Sequence, residues 1–230
     1  NALRLGVPYA YNPLAYAWDA HAAYARRYGA GRRPVVLVGM NPGPHGMGQT
    51  GVPFGDVAYV RDWMGVTGEV GQPARPHPKR PVVGFATTRR EASGKRLYGW
   101  AEARYGTAER FFEDFFIVNY CPLMFFDEEG RNLTPPQLRR GDTEALYGAC
   151  DRHLSRVLRT LRPRLVVGVG SFAAERAERL VAAEGIDARV GTVLHPSPAS
   201  PAANRGWSEQ ATRQLAALGV EVPEAPHARR

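Results

Sequence analysis

Three polar side chains, Asn41, Asn119 and His195, each follow a short apolar run that is typical of a buried strand. Gly39 and Met40 separate Asn41 from its run, and the other two follow directly. Because the carboxyl ends of parallel strands meet at one edge of a sheet, we expect two amides and an imidazole along that edge. An amide can orient water and can recognise both donors and acceptors of a ligand. An imidazole can donate a hydrogen bond to a group on which negative charge develops.

The loop that carries Asn41 is rigid and rich in glycine. Pro42 and Pro44 restrict the backbone, and Gly43 has no side chain, so Asn41 faces an open space. A structural role is the alternative for each residue taken singly. Asn41 and Asn119 then make turns, and His195 bonds to a backbone carbonyl.

Alternating strand and helix patterns predict a three-layer α/β domain with a mainly parallel sheet. This single domain is expected to span residues 1–220. The predicted strands are 34–38, 115–118, 165–169 and 190–194. The predicted helices are 13–28, 57–64, 96–104, 109–112, 142–161, 171–181 and 208–218. Asn12 and Asp142 are expected to cap the first and the longest of them, and His77 to lie in a solvated loop. A disordered tail is predicted for 221–230.

Composition limits the classes of function. The 230 residues fit one domain, and a net charge of +8 suits a polyanionic partner, although a merely basic protein is as good an explanation. Cys121 and Cys150 are too few for a cysteine-ligated iron–sulfur cluster and are expected to be buried, reduced thiols. No apolar run has the length of a membrane span.

Four blocks of sequence resemble a known family. Residues 41–55, Asn-Pro-Gly-Pro-His-Gly-Met-Gly-Gln-Thr-Gly-Val-Pro-Phe-Gly, resemble the first motif of the single-strand-selective monofunctional uracil-DNA glycosylases, family 3 of the uracil-DNA glycosylase superfamily. The second motif, His-Pro-Ser-Pro, stands at 195–198, and the blocks 119–123 and 132–135 are also similar. The bias towards Arg, Ala and Gly is typical of a bacterial member with a GC-rich genome.

The resemblance implies a four-stranded parallel sheet between helices, and a glycosylase that needs no metal or cofactor. Such an enzyme hydrolyses the N-glycosidic bond of uracil in DNA and initiates base-excision repair. It implies two catalytic residues: His195 donates to uracil O2, and Asn41 holds the attacking water. Neither motif contains Lys, which argues against lyase chemistry through a Schiff base.

The resemblance also implies a base pocket. Asn119 pairs with the Watson–Crick edge of uracil, Phe54 stacks on the flipped ring, and Met40 and Met47 line the same space. Gly43 stands where the family-1 enzymes carry a Tyr that blocks the C5 methyl group. We therefore expect oxidised C5 substituents, as in 5-hydroxymethyluracil, to be accepted. Without the resemblance, Phe54 and the two methionines are better explained as core residues.

The loop 196–207 is expected to enter the duplex. The predicted DNA-binding residues are Ser197, Pro198, Ala199, Ser200, Asn204 and Arg205. Familiar members carry Arg where this chain has Ala199, so we expect duplexes to be processed less well than single strands. His45 stands where Phe is usual, and no role is assigned to it.

The expected partner is uracil-containing DNA, single- or double-stranded, with no membrane association and a monomeric state. The expected location is the cytoplasm of a bacterium, at the nucleoid, or the nucleus of a eukaryote. Two alternatives remain open: a mismatch or hypoxanthine/xanthine DNA glycosylase on the same scaffold, and a non-catalytic module that binds DNA lesions.

Overall fold

A four-stranded parallel sheet forms the centre of the molecule in the computed structural model, which describes residues 5–224. The strands of these residues are β1 (Tyr9–Tyr11), β2 (Val35–Gly39), β3 (Phe115–Asn119), β4 (Met124–Phe126), β5 (Asn132–Leu133), β6 (Leu165–Val169) and β7 (Arg189–Val193). The central sheet has the order β3-β2-β6-β7, and all its pairs are parallel. The expected sheet is confirmed.

Helices surround this sheet. Their bounds are α1 (Pro13–Tyr16), α2 (Trp18–Tyr28), α3 (Met47–Thr50), α4 (Ala92–Tyr105), α5 (Ala108–Asp114), α6 (Arg140–Leu161), α7 (Ser171–Glu184), α8 (Pro201–Asn204) and α9 (Trp207–Ala217). Single turns of π-helix and 3-10 helix lie at Tyr59–Trp63, Gly84–Ala86 and Pro135–Gln137. Within residues 5–224, no helix has the length and apolar character to cross a membrane.

Both faces of the sheet are covered because successive strand residues point to opposite sides. Phe116 stacks on Tyr24 of α2, with ring centroids 5.1 Å apart. Its neighbour Phe115 stacks on Phe111 of α5, at 4.9 Å. β2, β3 and β6 are buried along their whole length, as expected for apolar strands between two helical layers. The predicted α/β/α class is therefore confirmed.

Two glycines allow helices to approach the sheet closely. Gly168 of β6 lies against Ala174 of α7. Gly191 of β7, whose ladder partner is Val167, lies against Leu218 just beyond α9. Because Val167 and Gly168 face opposite sides, α7 and α9 cover opposite faces.

Two predictions about helix starts have different outcomes. Asn12 does cap α1, since its side chain accepts the backbone N–H of Leu14, but the helix is interrupted at Ala17 and continues as α2. Asp142 is not a cap, because α6 begins earlier, at Arg140. The Asp142 carboxylate instead accepts the backbone N–H of Gly6 at 3.0 Å.

The expectation that His77 is solvated is wrong. The residue is 3% exposed, and the backbone N–H of Lys79 donates to its Nδ1 at 3.0 Å. Its Nε2 lies 3.0 Å from the carbonyl oxygen of Glu128. The His77 ring thus forms hydrogen bonds with backbone groups of two loops. Without the ring, these groups would need hydrogen bonds to water.

Reduced, buried thiols are found where they were expected, since Cys121 and Cys150 are both free and buried. A hydrogen bond with Cys121, together with burial, raises the pKa of the Cys150 thiol. Most of the predicted tail, residues 225–230, lies outside the described part of the chain.

The strand patterns did not predict a second sheet. It is antiparallel, with the order β1-β4-β5, and it pairs Tyr11 with Met124 and Phe125 with Leu133. Strands of two or three residues leave too short a pattern to be recognised in the sequence. The second sheet contains the chain segment that follows β3. It therefore lies beside the edge of the central sheet where Asn119 is found.

A buried carboxylate ties the glycine-rich loop to α4. Asp56 is 0% exposed and accepts hydrogen bonds from Arg90 Nε and Nη2, both at 2.8 Å. It also accepts the backbone N–H of Glu91 at 3.0 Å. A buried charge that is paired and hydrogen-bonded in this way fixes both segments relative to each other.

We predict that Asp56→Ala lowers the free energy of unfolding by about 2–3 kcal/mol, because hydrogen bonds to a charged group are lost and a backbone N–H is left unpaired. Urea denaturation followed by far-UV circular dichroism measures this change. Asp62→Ala is the matched control, because Asp62 pairs with Arg61 in solvent. The control should change stability by less than about 0.5 kcal/mol. Equal effects of the two substitutions would contradict the role given to Asp56.

Candidate active site

The register of the central sheet brings the predicted site residues to one edge. Gly39, the last residue of β2, pairs with Asn119, the last residue of β3. Asn41, Asn119 and His195 all line one cavity of about 320 Å³. Phe54, Met40, Gly43 and Met47 line the same cavity. The structure thus brings together every residue for which the sequence predicted a catalytic or base-binding role.

Asn119 is the last residue of β3 and is 3% exposed. Its Nδ2 donates to the sulfur of Met47 at 3.3 Å. A thioether is a weak acceptor, so a ligand with a better acceptor can replace it. Buried amides usually have stronger partners, and the side chain of Asn119 is therefore well suited to bind a polar ligand in the cavity.

Gly39 makes room for two site residues, a role that the sequence did not reveal. A Cβ at this position would clash with the side-chain oxygen of Asn119 and lie 2.7 Å from the Phe54 ring. The absence of a side chain allows the amide and the aromatic ring to approach one another at the end of β2.

Phe54 has an unusual backbone. Its φ is +55°, in the left-handed region that bulky side chains rarely adopt. Such strain costs on the order of 1–3 kcal/mol and persists where the surrounding structure imposes it. Here Gly94 of α4 lies directly against the Phe54 carbonyl group. The conformation places the half-buried ring in the wall of the cavity, with its centroid 5.9 Å from that of His195.

The hydrogen bond made by His195 defines its tautomer. The backbone N–H of Ser197 donates to His195 Nδ1 at 3.1 Å, so Nδ1 is the acceptor. The proton of the neutral ring then lies on Nε2. Burial lowers the pKa of His195 from its ordinary value of 6.5, which favours the neutral ring. The residue therefore offers one N–H donor at neutral pH.

Two side chains fix the strand end that carries His195. The backbone N–H of Leu194 donates to Gln214 Oε1 at 2.8 Å. The indole N–H of Trp207 donates to the carbonyl oxygen of Leu194 at 2.6 Å. Both partners belong to α9. This helix therefore holds the backbone of Leu194, the residue directly before His195.

A backbone carbonyl group close to the second sheet orients Asn41. Its Nδ2 donates to the carbonyl oxygen of Leu123 at 3.5 Å, a long hydrogen bond. Leu123 directly precedes β4, so the second sheet contributes to the position of the amide. With the N–H group directed to Leu123, the side-chain oxygen of Asn41 is the group that can accept from a ligand or a water.

Arg96 and Asn204 shape the loop after His195. Arg96 donates from Nη1 to the carbonyl oxygen of Pro196 at 3.2 Å and from Nη2 to Asn204 Oδ1 at 2.7 Å. Asn204 Nδ2 donates to the carbonyl oxygen of Pro198 at 2.9 Å. Asn204, predicted to contact DNA, thus has a structural task in the loop, and Arg96 is a positioning residue that the sequence did not reveal.

Two serines of the loop also bond within it. Ser200 caps α8 through its side chain, and Ser197 Oγ accepts the backbone N–H of Ala199 at 3.2 Å. Pro198, Ala199 and Arg205 are exposed. Among the predicted DNA-binding residues, Ser197 also lines the cavity. The contacts of the whole set with DNA stay a prediction.

Comparison with known proteins identifies the family of the chain. A family model described as the uracil DNA glycosylase superfamily matches residues 26–217. The chain belongs to this superfamily. It is 47% identical over 210 residues to the single-strand selective monofunctional uracil DNA glycosylase of Bos taurus, which covers 91% of this chain and 77% of the relative. The Rattus norvegicus protein of the same description is also 47% identical, and the match covers 76% of its length.

A solved structure shares the fold. The crystal structure of Pedobacter heparinus SMUG2 aligns with a TM-score of 0.69 and covers 95% of this chain and 90% of that one, at 19% identity. At such identity the likeness concerns the arrangement of the chain, which agrees with the four-stranded sheet described above.

In this member of the superfamily, a carboxyl group that the sequence did not single out lines the cavity. Glu91 precedes α4, and its Oε2 lies 2.6 Å from the position that a Cβ on Gly43 would occupy. Burial raises the pKa of Glu91, as does the charge of Asp56, while backbone groups of Ser93 and His45 act in the opposite direction. A Glu just before a helix usually faces solvent, so no signal in the sequence indicated this position.

His45, which was assigned no role from the sequence, does not line this cavity. It lines a neighbouring cavity of about 200 Å³ together with Lys79, Arg80 and Arg89. Burial lowers the pKa of His45, and Arg89 and Arg80 lower it further. The residue therefore belongs to a positively charged recess beside the cavity that Asn41 and His195 line.

We predict that the His195 ring titrates with a midpoint below pH 6.5 and carries its proton on Nε2 when neutral, because burial disfavours the charged ring and Nδ1 accepts from Ser197. Nitrogen-15 NMR of the imidazole across pH 5–8 measures both properties, and the spectrum of His195→Leu assigns the signals. A midpoint above 6.5, or a proton on Nδ1 of the neutral ring, would contradict the geometry.

Proposed function

We propose that this protein is a monofunctional DNA glycosylase that hydrolyses the N-glycosidic bond of uracil and of C5-oxidised uracils in DNA, and so initiates base-excision repair. The observation that supports this most is the single cavity that Asn41, Asn119, His195 and Phe54 share. The relatives that are 47% identical are named as monofunctional uracil DNA glycosylases, which supports the uracil part of the proposal.

His195 stabilises the leaving base. As the bond between base and sugar lengthens, negative charge develops on uracil and positive charge on the sugar. The Nε2–H of His195 donates to uracil O2, where part of the negative charge appears. One such donor contributes about 10²–10³ in rate, because it acts on charge that exists only in the transition state.

Asn41 positions the attacking water. Its side-chain oxygen accepts a hydrogen bond from the water and directs the lone pair towards the sugar carbon. An amide does not remove a proton at neutral pH, so the proton leaves for solvent or for the departing base after the new C–O bond forms. The products are free uracil and an abasic site, with no covalent intermediate on the protein.

Asn119 and Phe54 select the base. The Asn119 oxygen accepts from uracil N3–H, and its amide N–H donates to O4 in place of Met47. Cytosine presents an acceptor and a donor at these positions, so two buried groups would be left unpaired, which disfavours it strongly. The Phe54 ring stacks on the flipped base and contributes about 1–3 kcal/mol irrespective of its identity.

DNA binds across the mouth of the cavity, along the loop 196–206. The net charge of +8 and the exposed Arg205 favour contact with phosphates. Both single strands and duplexes are substrates, and single strands are preferred because flipping from them costs less and Ala199 fills little of the gap left in a duplex.

The test is release of free base from a panel of oligonucleotides. The panel carries uracil, 5-hydroxymethyluracil, hypoxanthine, xanthine or a G·T mismatch, each in single- and double-stranded form where the lesion allows. Alkali-labile sites and mass spectrometry of the free base measure cleavage. Release of uracil and 5-hydroxymethyluracil is expected. Preference for hypoxanthine or xanthine, or binding of uracil-DNA with no release of base, would overturn the proposal.

We predict that Asn41→Ala and His195→Leu each lower single-turnover excision of uracil by about 10²–10³, while binding of uracil-containing DNA is retained. Rapid-quench assays and fluorescence anisotropy measure the two quantities. His153→Leu is the control, since this half-buried residue of α6 lies away from the cavity, and its rate should stay within about twofold of wild type. Wild-type rates in both site variants would exclude the assigned roles.

A further inference from the structure

The side chain of Asn119 is held weakly, so its position depends on the backbone that carries it. Among residues 5–224, its side-chain hydrogen bond is the donation to the sulfur of Met47. The backbone is held better, because the N–H of Tyr120 donates to the carbonyl oxygen of Gly39 at 2.8 Å and so extends the pairing of β3 with β2. The precision of the Asn119 amide therefore depends on how firmly the chain at Tyr120 is held.

An ion pair between two helices holds the phenol of Tyr120. This residue is 0% exposed, and its hydroxyl group donates to Asp151 Oδ1 of α6 at 2.7 Å. Arg176 of α7 donates from Nε to the same hydroxyl group at 2.8 Å. Its Nη2 donates to both carboxylate oxygens of Asp151, at 2.7 and 2.9 Å. The three side chains thus form a closed network of charge-assisted hydrogen bonds.

Burial and aromatic rings strengthen this network. Burial raises the pKa of Tyr120, as does the hydrogen bond to Asp151, so the phenol keeps its proton and remains a donor. The guanidinium group of Arg176 lies 5.1 Å from the centroid of the Tyr120 ring and 4.5 Å from that of Tyr147. Its side chain is 14% exposed, and the attraction between a cation and a ring face increases as water is removed.

A second ion pair joins the same two helices and provides a comparison. Arg159 of α6 pairs with Glu184 of α7 at 3.0 Å, but the arginine side chain is 58% exposed. Both residues lie in the last turn of their helices. Of the two pairs, only Arg176–Asp151 bonds to the residue that directly follows Asn119. A contact that served only to join α6 and α7 would not require this bond.

We propose that Arg176 is a positioning residue for base recognition, which acts through Asp151 and Tyr120 on the backbone of Asn119. This inference rests on the proposed function of the same site. Arg176, Asp151 and Tyr120 do not line the cavity that receives the base, so they hold the chain without occupying its space. Asn119 can then exchange its bond to Met47 for bonds to the base while its backbone stays in place.

The test removes the network in two ways. Arg176→Met keeps an unbranched side chain beside the rings and removes the hydrogen bonds, whereas Tyr120→Phe removes only the hydroxyl group. Single-turnover excision of uracil from a single strand should fall about tenfold in Arg176→Met and about threefold or more in Tyr120→Phe, because a misplaced amide aligns poorly with N3–H and O4. Binding of the same strand without uracil should stay within about twofold, since phosphate contacts do not depend on the base.

Arg159→Met is the matched control, because it removes the exposed ion pair between the same two helices. Its rate of uracil excision should stay within about twofold of wild type. A loss equal to that of Arg176→Met would show that any weakening of the contact between α6 and α7 slows the reaction, and would overturn the specific role of Arg176.

A double-mutant cycle separates positioning from a loss of folded protein. When Arg176→Met is added to Asn119→Ala, the rate should change by less than about twofold, because the amide that Arg176 positions is already gone. A loss of folded protein would lower the rate equally on both backgrounds. Tyr120→Phe in the same cycle decides the question if Arg176→Met does not fold.

Two results would overturn the role of Arg176 and leave the proposed function intact. One is an equal loss of rate with and without the Asn119 amide. The other is a rate of uracil excision within about twofold of wild type in every folded variant of the network. Failure of the wild-type protein to release uracil would instead remove the proposed function.

Discussion

The pairing of Gly39 with Asn119 at the ends of β2 and β3 is the constraint on which the site depends. Because Gly39 has no Cβ, the Asn119 amide and the Phe54 ring meet in the same space. The parallel register then places β6 and β7 alongside, so that the chain leaving β7 brings His195 to the same edge. The register of the sheet thus brings the amide and the imidazole to one edge, and the loop that carries Phe54 adds the aromatic ring.

The helices and loops around this edge limit the freedom of each group. The Asp56–Arg90 pair joins the glycine-rich loop to α4, while Gln214 and Trp207 of α9 hold the end of β7. Gln214 and Trp207 bond to the backbone of Leu194, and Asp56 also accepts the backbone N–H of Glu91, so side chains and main chain hold each other in place. The resulting rigidity is what an electrostatic mechanism requires, since donors that are already oriented need no rearrangement as charge develops.

Much of this arrangement follows from the sequence because it is encoded in short, regular patterns. The apolar runs predicted the four central strands, and the polar residues that follow them predicted the edge at which the cavity lies. Contacts between distant segments left no such pattern. His77 is buried by the backbone of a loop more than fifty residues away, and Glu91 lies in the cavity because Asp56 holds its backbone. The left-handed Phe54 likewise lies against Gly94, a contact between segments forty residues apart that only a glycine allows.

The most direct measurement is a crystal structure of Asn41→Ala bound to a single-stranded oligonucleotide that contains deoxyuridine. The account predicts a flipped uracil stacked on Phe54, with His195 Nε2 near O2 and the Asn119 amide near N3 and O4, at heavy-atom distances of about 2.7–3.2 Å. A uracil bound in another cavity, or one that leaves the Asn119 amide on the sulfur of Met47, would contradict the claim that these groups gather around a single base.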